Sequence, residues 1–277
     1  MMHARSTASA KKSIPKYLTY TMTVSDFGEV SLLVTHYNRS RSLERLLERF
    51  ETLGMRFGDI IVSDDGSRPE HLDYLRSIQG RLNFRLITTP VNRGLGNNIN
   101  KGQDAVITPF TLYVQEDFDP TPSFSDHFPD GLQLLQADAE LDIVRFYAYT
   151  VYPYLSPLGN GYASMLFNFW KKGYKKYYAY SDHPHLRRSG FFTKFGRYAE
   201  GRKVEKTEYL MMMSFLRNKG KAVIYEHINE LFEQKNSSAE PSTVKRNFWR
   251  ESEGLVFAAM RHSYRHLKFN FDYLFGK

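Results

Sequence analysis

The first half of the chain alternates between continuous apolar runs and segments with apolar residues at helical spacing. The apolar runs predict buried strands at 30–37, 59–65, 84–89 and 110–115. Leucine and phenylalanine recur every three or four residues over Ser42–Leu53, which predicts an amphipathic helix. This alternation predicts βαβ units and an α/β fold with a mainly parallel sheet, covered by helices on both faces.

Further helices are predicted between and after these strands. Ser67 and Glu70 have the spacing of a capping box, which predicts a second helix from there to about Gln79. A third helix is predicted over 96–106. In the second half the pattern is less regular. It predicts a strand in "DIVRFY", a helix that ends near "LRNKG", a strand in "AVIYEH" and a C-terminal helix.

Polar clusters stand at the carboxyl ends of the predicted strands. "THYNR" follows the first strand, "SDDGS" the second and "QEDFDP" the fourth, while "NRGLGNNINKG" lies between the third and fourth. Each cluster alone is ordinary turn chemistry. Because the carboxyl ends of parallel strands meet at one edge of a sheet, four such clusters predict a ligand site there. The turn after the first strand has no glycine, which excludes a Rossmann dinucleotide site.

Composition narrows the ligand and the compartment. The 277 residues are 42% hydrophobic, enough for the core of one large domain, and no apolar run reaches the roughly 18 to 20 residues of a membrane span. The absence of cysteine excludes disulfides and thiolate metal sites and fits a reducing cytoplasm. The net charge of +8 suits anionic partners. The acids of "QEDFDP" suit Mg²⁺ or Mn²⁺ bridging to a diphosphate.

In this order and spacing, "VSLLVTHYNR", "IIVSDDGS", "NRGLGNNINKG" and "YVQEDFDP" resemble the nucleotide-sugar-binding half of family 2 glycosyltransferases. The resemblance implies a GT-A fold with a nucleotide-sugar-binding half at 28–120, an acceptor-binding half at 121–235, a tail at 1–27 and a C-terminal helical extension at 236–277. It implies that a sugar is transferred with inversion from a nucleotide diphosphate donor to an acceptor hydroxyl, and UDP is the nucleotide expected in this donor. Polysaccharide or cell-surface glycan synthesis is the pathway expected by analogy.

The resemblance also implies roles for single residues. Asp117 matches the second aspartate of the family's Asp-x-Asp motif, and with Asp119 it would bind Mn²⁺ or Mg²⁺. Gln115 replaces the first aspartate, which weakens the case for a strict metal requirement. The residues expected to contact the nucleotide or its sugar are Thr35, Tyr37, Arg39, Asp64, Asp65, Arg93, Asn97, Asn100 and Glu116.

Glu205 and Glu208 share one face near the start of a predicted helix, where acids also complement the helix dipole. The resemblance implies that one of them is the catalytic base, and the sequence leaves the choice open. His183 and His185 are candidate ligands of a metal or phosphate, as is His227, although loop histidines are more often plain surface residues.

Two other functions are consistent with parts of the sequence. A sugar nucleotidyltransferase would carry a glycine-rich, basic loop after the first strand, and "THYNRSRS" is not glycine-rich. The basic charge permits a non-catalytic glycan- or nucleic-acid-binding protein, but the acidic strand end argues against a surface for a phosphate backbone there. The expected partners are therefore a nucleotide sugar and a glycan or lipid-linked acceptor, with no nucleic acid. The basic, aromatic tail after Met260 suits a peripheral contact with the inner face of a membrane, or packing against the core or a second subunit.

Overall fold

A computed structural model of the protein describes residues 24–235 and 255–276. Its first half contains β1 (Ser25–His36), α1 (Ser40–Thr52), β2 (Met55–Asp64), α2 (Pro69–Leu82), β3 (Arg85–Ile87), α3 (Leu95–Asp104) and β4 (Phe110–Gln115). Then follow β5 (Phe118–Pro120), α4 (Pro122–Ala137), β6 (Ile143–Arg145), β7 (Leu155–Gly159), β8 (Tyr162–Met165), a 3-10 turn (Tyr174–Tyr177), β9 (His185–Arg188), α5 (Phe191–Phe195), α6 (Val204–Arg217), β10 (Ala222–Tyr225), β11 (Phe232–Gln234) and α7 (Leu255–Phe275).

Nine strands form one sheet in the order β3-β2-β1-β4-β9-β6-β10-β8-β7. Strands β1 to β4 pair in parallel, as do β6 and β10, whereas β9 is antiparallel to both of its neighbours and β8 is antiparallel to β10 and β7. All strands except β8 and β9 therefore run in one direction. This confirms the predicted mainly parallel sheet, and the four predicted strands of the first half correspond to β1 to β4. A separate small sheet pairs β5 with β11.

Helices cover both faces because neighbouring residues of a buried strand point to opposite sides. Leu32 and Val34 of β1 join a core formed with α1, α2 and α4, whereas Leu33 joins the core formed with α3, α5 and α6. The α7 helix packs on this second core through Phe269. Within the described residues, no helix has the length and hydropathy needed to cross a membrane.

Two predicted boundaries were wrong. Ser67 does not cap α2, since the helix begins at Pro69 without a side-chain cap and continues to Leu82. The Ser67 hydroxyl instead donates to Asp64 Oδ1 at 2.5 Å, and its oxygen accepts from the Asn38 amide at 2.8 Å, which takes the acceptor role that a helix cap would need. At the N-terminus, β1 begins at Ser25, so residues 25–27 of the predicted tail belong to the sheet. Residues 1–23 of that tail and residues 236–254, where the sequence predicts a polar loop, lie outside the described residues.

Candidate active site

The strands that carry the predicted site residues end at the same level of the sheet. Thr35 of β1 stands in register with Ser63 of β2 on one side and with Gln115 of β4 on the other. The polar segments after these three strands therefore meet at one edge, as the sequence predicted. Thr35 itself is buried, and its hydroxyl shares a hydrogen bond with the hydroxyl of Tyr113 at 3.0 Å.

Asp64 ties three strand ends together. Its carboxylate accepts hydrogen bonds from the His36 imidazole at 2.8 Å, the Thr88 hydroxyl at 2.7 Å and both the amide and the hydroxyl of Ser67. Burial raises the pKa of Asp64, but these hydrogen bonds lower it far more, so the pKa lies well below its usual range. With its side chain buried, Asp64 positions the edge of the sheet, and Tyr37 at the end of β1 is partly exposed above it.

Asp65 holds the loop that follows β3. Its two carboxylate oxygens accept hydrogen bonds from the amides of Arg93 at 2.7 Å and Gly94 at 2.9 Å. Burial raises the pKa of Asp65, and the two amides act in the opposite direction. The loop closes tightly because Gly66 has a φ of +67° and a Cβ there would lie 2.5 Å from the Val91 carbonyl carbon. The exposed Arg93 side chain is thereby carried over the carboxyl edge of the sheet.

Two asparagines of α3 connect the site to the segment before α6. Asn100 donates to Glu200 Oε1 at 2.8 Å and to the Tyr198 carbonyl at 3.0 Å, and its own carbonyl accepts from the Tyr198 amide at 3.0 Å. Asn97 donates to Glu200 Oε2 at 2.8 Å. Asn100 is almost fully buried, so its observed contacts are within the protein.

The acidic segment after β4 divides into two groups. Asp117 Oδ2 lies 3.3 Å from Arg39 Nη1 and accepts a hydrogen bond from Gln234 at 2.9 Å, and Glu116 Oε1 lies 3.7 Å from the same guanidinium. Asp119 instead forms ion pairs with Arg45 at 2.8 Å and Lys235 at 3.4 Å. The structure thus brings Glu116, Asp117 and Arg39 together and places Asp119 in a second cluster.

The donor set fits a metal only in part. Among residues 24–235 and 255–276, no group of three or more histidine, aspartate or glutamate side chains could hold an ion alone. Glu116 and Asp117 are adjacent carboxylates at the ligand edge, which fits a Mg²⁺ or Mn²⁺ ion held by one or two carboxylates plus diphosphate oxygens. Asp119 is already neutralised by two cations and is the less suitable ligand.

The structure separates the two candidate bases on α6. Glu205 is exposed, whereas Glu208 lies one turn further into the helix and accepts a hydrogen bond from the Asp182 amide at 3.1 Å. Burial raises the pKa of Glu208 to about 7, and the nearby charge of Asp182 acts in the same direction. A carboxylate with a pKa near neutrality is suited to take up a proton at physiological pH.

Both glutamates line a cavity of about 670 Å³ between β6, α6 and α7. Aromatic and charged side chains form most of its walls. The aromatic ones are Tyr149, Tyr152, Tyr174, Tyr178, Tyr180, Tyr209 and Phe269, and the charged ones include Arg145 and Lys206. Such walls suit a sugar ring with polar substituents.

A buried polar network behind the cavity was not anticipated from the sequence. Asp182 Oδ1 accepts hydrogen bonds from the hydroxyls of Tyr180 at 2.9 Å and Tyr198 at 2.8 Å. The fully buried Arg187 of β9 donates to Gln103 at 2.7 Å and to the Tyr198 hydroxyl at 3.5 Å. A signal was present for Arg145 alone, which is a charged residue within the apolar run "DIVRFY".

The histidines of the 183–185 segment are not surface residues. His183 lines the cavity between aromatic rings, and burial, followed by the charge of Arg145, lowers its pKa to about 3, so it is neutral. His185 is fully buried in β9, and burial lowers its pKa well below the usual value. His227 is exposed, as a plain surface residue would be.

The model of the family "Glycosyl transferase family 2" matches residues 31–198, which is more than half of the chain. A comparison with curated proteins gives no match. Among solved structures, the chain is similar to S. aureus TarS 1-349 in complex with UDP-GlcNAc, with a TM-score of 0.57 and 15% identity over 90% of this chain and 76% of that one. It is also similar to the mannosyltransferase PcManGT from Pyrobaculum calidifontis in complex with GDP-Man and Mn²⁺, with a TM-score of 0.54 and 12% identity over 91% of this chain and 67% of that one.

At such identities the structural likeness shows the fold alone, and it is the GT-A fold that the sequence predicted. The family match extends from β1 to the segment before α6 and so includes the sheet edge with Asp65 and Asp117. The chain therefore belongs to glycosyl transferase family 2.

Proposed function

We propose that the protein is an inverting glycosyltransferase that moves a sugar from a nucleotide diphosphate, with UDP as the preferred nucleotide, to an acceptor hydroxyl. The observation that carries this proposal is the position of Glu208. Its carboxylate combines a pKa of about 7 with a place in the wall of an aromatic cavity. A general base must reach the acceptor hydroxyl, and a cavity of this lining can hold that acceptor.

In the proposed reaction the acceptor lies in the cavity and its hydroxyl oxygen attacks the anomeric carbon of the donor sugar. Glu208 takes the hydroxyl proton as the new C–O bond forms, and the bond to the nucleoside diphosphate breaks from the opposite side. Attack from the side opposite the leaving group inverts the anomeric centre. Glu205, exposed at the start of α6, is assigned to the rim of the site.

The donor is proposed to bind at the carboxyl edge of the sheet. Asp65 and the Arg93 loop would hold the nucleoside, with Thr35, Tyr37, Asp64, Asn97 and Asn100 forming or fixing the surrounding walls. Arg39 would face the diphosphate. The choice of UDP follows the resemblance of the four motifs and is consistent with the UDP-GlcNAc named for TarS, whereas the other neighbour's complex contains GDP-Man.

A divalent ion would be held by Asp117 and Glu116 together with the donor diphosphate, while Asp119 would support the segment through its ion pairs. When bound, such an ion supplies Lewis-acid stabilisation of the negative charge on the departing diphosphate. Before the donor arrives, Arg39 offsets part of the negative charge of these two carboxylates.

Donor binding tests this proposal directly. Calorimetry with UDP and GDP, each with and without Mn²⁺, should show UDP as the tighter ligand, and incubation with a panel of UDP-sugars should reveal slow donor hydrolysis. The proposal would be contradicted if the protein bound neither UDP nor GDP and hydrolysed none of the donors. Binding of nucleoside triphosphate and sugar phosphate with release of diphosphate would instead indicate a sugar nucleotidyltransferase.

The acceptor is proposed to be a glycan or a lipid-linked sugar, reached from a peripheral position on the cytoplasmic face of a membrane. The support comes from α7, whose inner face lines the cavity through Phe269. Its outer face exposes a stripe of apolar side chains at helical spacing, 54–69% exposed: Tyr264, Leu267, Phe271, Leu274 and Phe275. Beside α7, Trp170 is 87% exposed next to Lys171 and Lys172, a combination suited to an anionic membrane surface.

Vesicle sedimentation tests the membrane contact. The protein should bind vesicles that contain phosphatidylglycerol and not pure phosphatidylcholine, and Phe271→Glu should weaken this binding. Ile107→Glu is the matched control, because Ile107 is 86% exposed in a different part of the fold. Equal binding by the Phe271 and Ile107 variants, or a dimer that the Phe271 variant dissolves, would show that the stripe serves another purpose.

A further inference from the structure

The acceptor cavity has an excess of positive charge. Five cationic side chains line it, namely Arg145, Lys175, Lys206, Arg265 and Lys268, against the two carboxylates of Glu205 and Glu208. Lys268 is neutralised by an ion pair with Asp272 on its own helix. The other four cations have no ion-pair partner within 4.0 Å among the described residues.

Arg145 is the deepest of these cations. It ends β6 and is only 3% exposed. Its Nη1 donates to the Tyr178 carbonyl at 2.7 Å and its Nη2 donates to the Ser181 hydroxyl at 2.5 Å, while its Nε has no hydrogen-bond partner in the part of the chain that the structure describes. Burial lowers the pKa of Arg145 to about 10, so the guanidinium keeps its full charge at pH 7.

The nearest acids balance this charge only in part. Glu208 and Asp182 act on Arg145 at longer range than an ion pair, and Asp182 also faces the buried Arg187. Burial raises the pKa of Glu208 to about 7, so Glu208 carries only part of a charge at neutral pH. A buried, unbalanced cation is costly unless an anion completes the site.

The mouth of the cavity continues the same pattern. Lys175 and Lys206 are exposed, and the Arg265 guanidinium stacks over the Tyr174 ring at 5.5 Å. These cations line the same cavity as Arg145 and are more exposed than it is. Arginine and lysine on aromatic walls recognise phosphate or carboxylate groups attached to an otherwise uncharged ring.

We infer that the cavity binds an anionic acceptor, a sugar that carries a phosphate or carboxylate group, with Arg145 as the deep contact and Lys206 and Arg265 at the rim. This inference rests on the proposed function, because it takes the cavity beside Glu208 as the acceptor site. It adds a substrate class and residues that determine specificity. The donor diphosphate has a separate place at the carboxyl edge of the sheet.

The test uses inorganic phosphate, glucose 6-phosphate and glucose as probes, with saturating UDP present so that the donor site is filled. Binding is followed by thermal shift at constant ionic strength, which removes general salt effects. Glucose 6-phosphate and phosphate should stabilise the wild-type protein and glucose should not. Lys206→Gln and Arg265→Gln should each weaken phosphate binding about tenfold, the size of one lost charge-assisted hydrogen bond.

Arg76→Gln is the matched control, because it removes one positive charge from an exposed position on α2, where Arg76 pairs with Asp73. This variant should bind phosphate like the wild type. Arg145→Gln should abolish phosphate binding; if it does not fold, the two rim variants still decide the matter. Equal responses to glucose and glucose 6-phosphate, or equal losses in the rim and Arg76 variants, would overturn the inference.

Two further readouts separate the possible failures. UDP affinity, measured by calorimetry without the acceptor probes, should be unchanged in the rim variants. If the wild-type protein did not bind UDP, the proposed function itself would be refuted. If vesicles that contain phosphatidic acid displace glucose 6-phosphate and phosphatidylcholine vesicles do not, the anion belongs to a lipid. If neither displaces it, the anion belongs to a water-soluble acceptor.

Discussion

The carboxylate of Glu208 accepts a hydrogen bond from the backbone amide of Asp182 at 3.1 Å. This contact joins α6 to the segment before β9. The second carboxylate oxygen of Glu208 has no hydrogen-bond partner within residues 24–235 and 255–276. The same glutamate borders the cavity, so one oxygen is fixed while the other is available to an acceptor hydroxyl.

The first prediction concerns this base. Glu208→Gln should lower turnover by about 10²–10⁴, the usual contribution of a general base, because an amide cannot take up the hydroxyl proton. Glu205→Gln is the matched control, since it removes an exposed carboxylate from the same helix turn and should cost little. Turnover of both variants would be measured at saturating donor, together with UDP affinity, which should not change. Near wild-type turnover in Glu208→Gln would place the base elsewhere.

The pH dependence of turnover should follow Glu208. The group must be deprotonated to act as a base, and burial raises its pKa to about 7. Turnover should therefore rise with pH until about 7 and level off above it. Asp182, Arg145 and Glu205 are the charged neighbours that set this value. The range from pH 5 to pH 8 includes the pKa of Glu208, which is about 7. A wild-type turnover that does not change over this range would argue against Glu208 as the base.

The raised pKa of Glu208 also makes the stability of the fold depend on pH, and stability should fall over the pH range in which turnover rises. The folded-state pKa of Glu208 is above its ordinary value of 4.5, so its contribution to stability is complete below about pH 4.5 and is lost as the pH rises through 7. Glu208→Gln removes this dependence. Chemical denaturation at several pH values should show that the variant gains stability relative to the wild type between pH 5 and pH 8, a range that includes the Glu208 pKa of about 7.

The third prediction concerns the metal. Asp117→Asn keeps the shape of the side chain and removes its charge, so the affinity for UDP should lose its dependence on Mn²⁺ or Mg²⁺. Asp119→Asn is the comparison, because the ion pairs of Asp119 with Arg45 and Lys235 assign it to support of the segment. The metal dependence should survive in that variant. Full activity of the wild type in EDTA would contradict the metal proposal.

The fourth prediction concerns the donor loop. Asp65→Ala removes both acceptors of the Arg93 and Gly94 amides, so the loop is released and UDP binding should weaken by about 1–3 kcal/mol. Calorimetry measures the affinity and circular dichroism confirms the fold. Asp104→Ala is the control, because it breaks an exposed ion pair with Arg197 away from the strand ends. Unchanged UDP affinity in a folded Asp65→Ala variant would remove Asp65 from the donor site.

The fifth prediction is about packing between the two halves of the site. A Cβ at Gly96 of α3 would lie 2.4 Å from the Ala199 carbonyl oxygen, so Gly96→Ala should destabilise the fold by about 1–3 kcal/mol. Gly80→Ala on α2 is the control. Nothing lies within 4 Å of a Cβ there, so this variant should gain about 0.5–1 kcal/mol from reduced chain entropy. Urea denaturation measures both, and equal effects would contradict the close approach at Gly96.

The first half of the fold could be predicted because its information is local. Buried parallel strands appear as continuous apolar runs, and turn residues mark where β1, β2 and β4 end. The error at Ser67 shows the limit of such patterns. Its hydroxyl has the right spacing for a helix cap, but its oxygen accepts from the Asn38 amide, 29 positions away, and its proton is donated to Asp64.

Contacts between distant parts of the chain could not be predicted. Asp119 looks like a metal ligand beside Asp117, and its partner Arg45 lies 74 positions away on α1. The cavity is built from β6, α6 and α7, the first and last of which are more than a hundred residues apart, so no local pattern describes it. The choice between Glu205 and Glu208 depended on the burial of Glu208 and on its contact with Asp182, which lies 26 positions away in another segment.

The position of β9 has a consequence for how the protein folds. β9 lies between β4 and β6, yet it is made after both of them. Strands β1 to β4 can pair as soon as they emerge from the ribosome, but β6 has no partner until β9 and β10 exist, since these are its two neighbours. Joining the two halves is therefore a late, long-range step, which we expect to limit the folding rate. Until it occurs, β4 presents an unpaired edge, so this intermediate is the stage most exposed to aggregation.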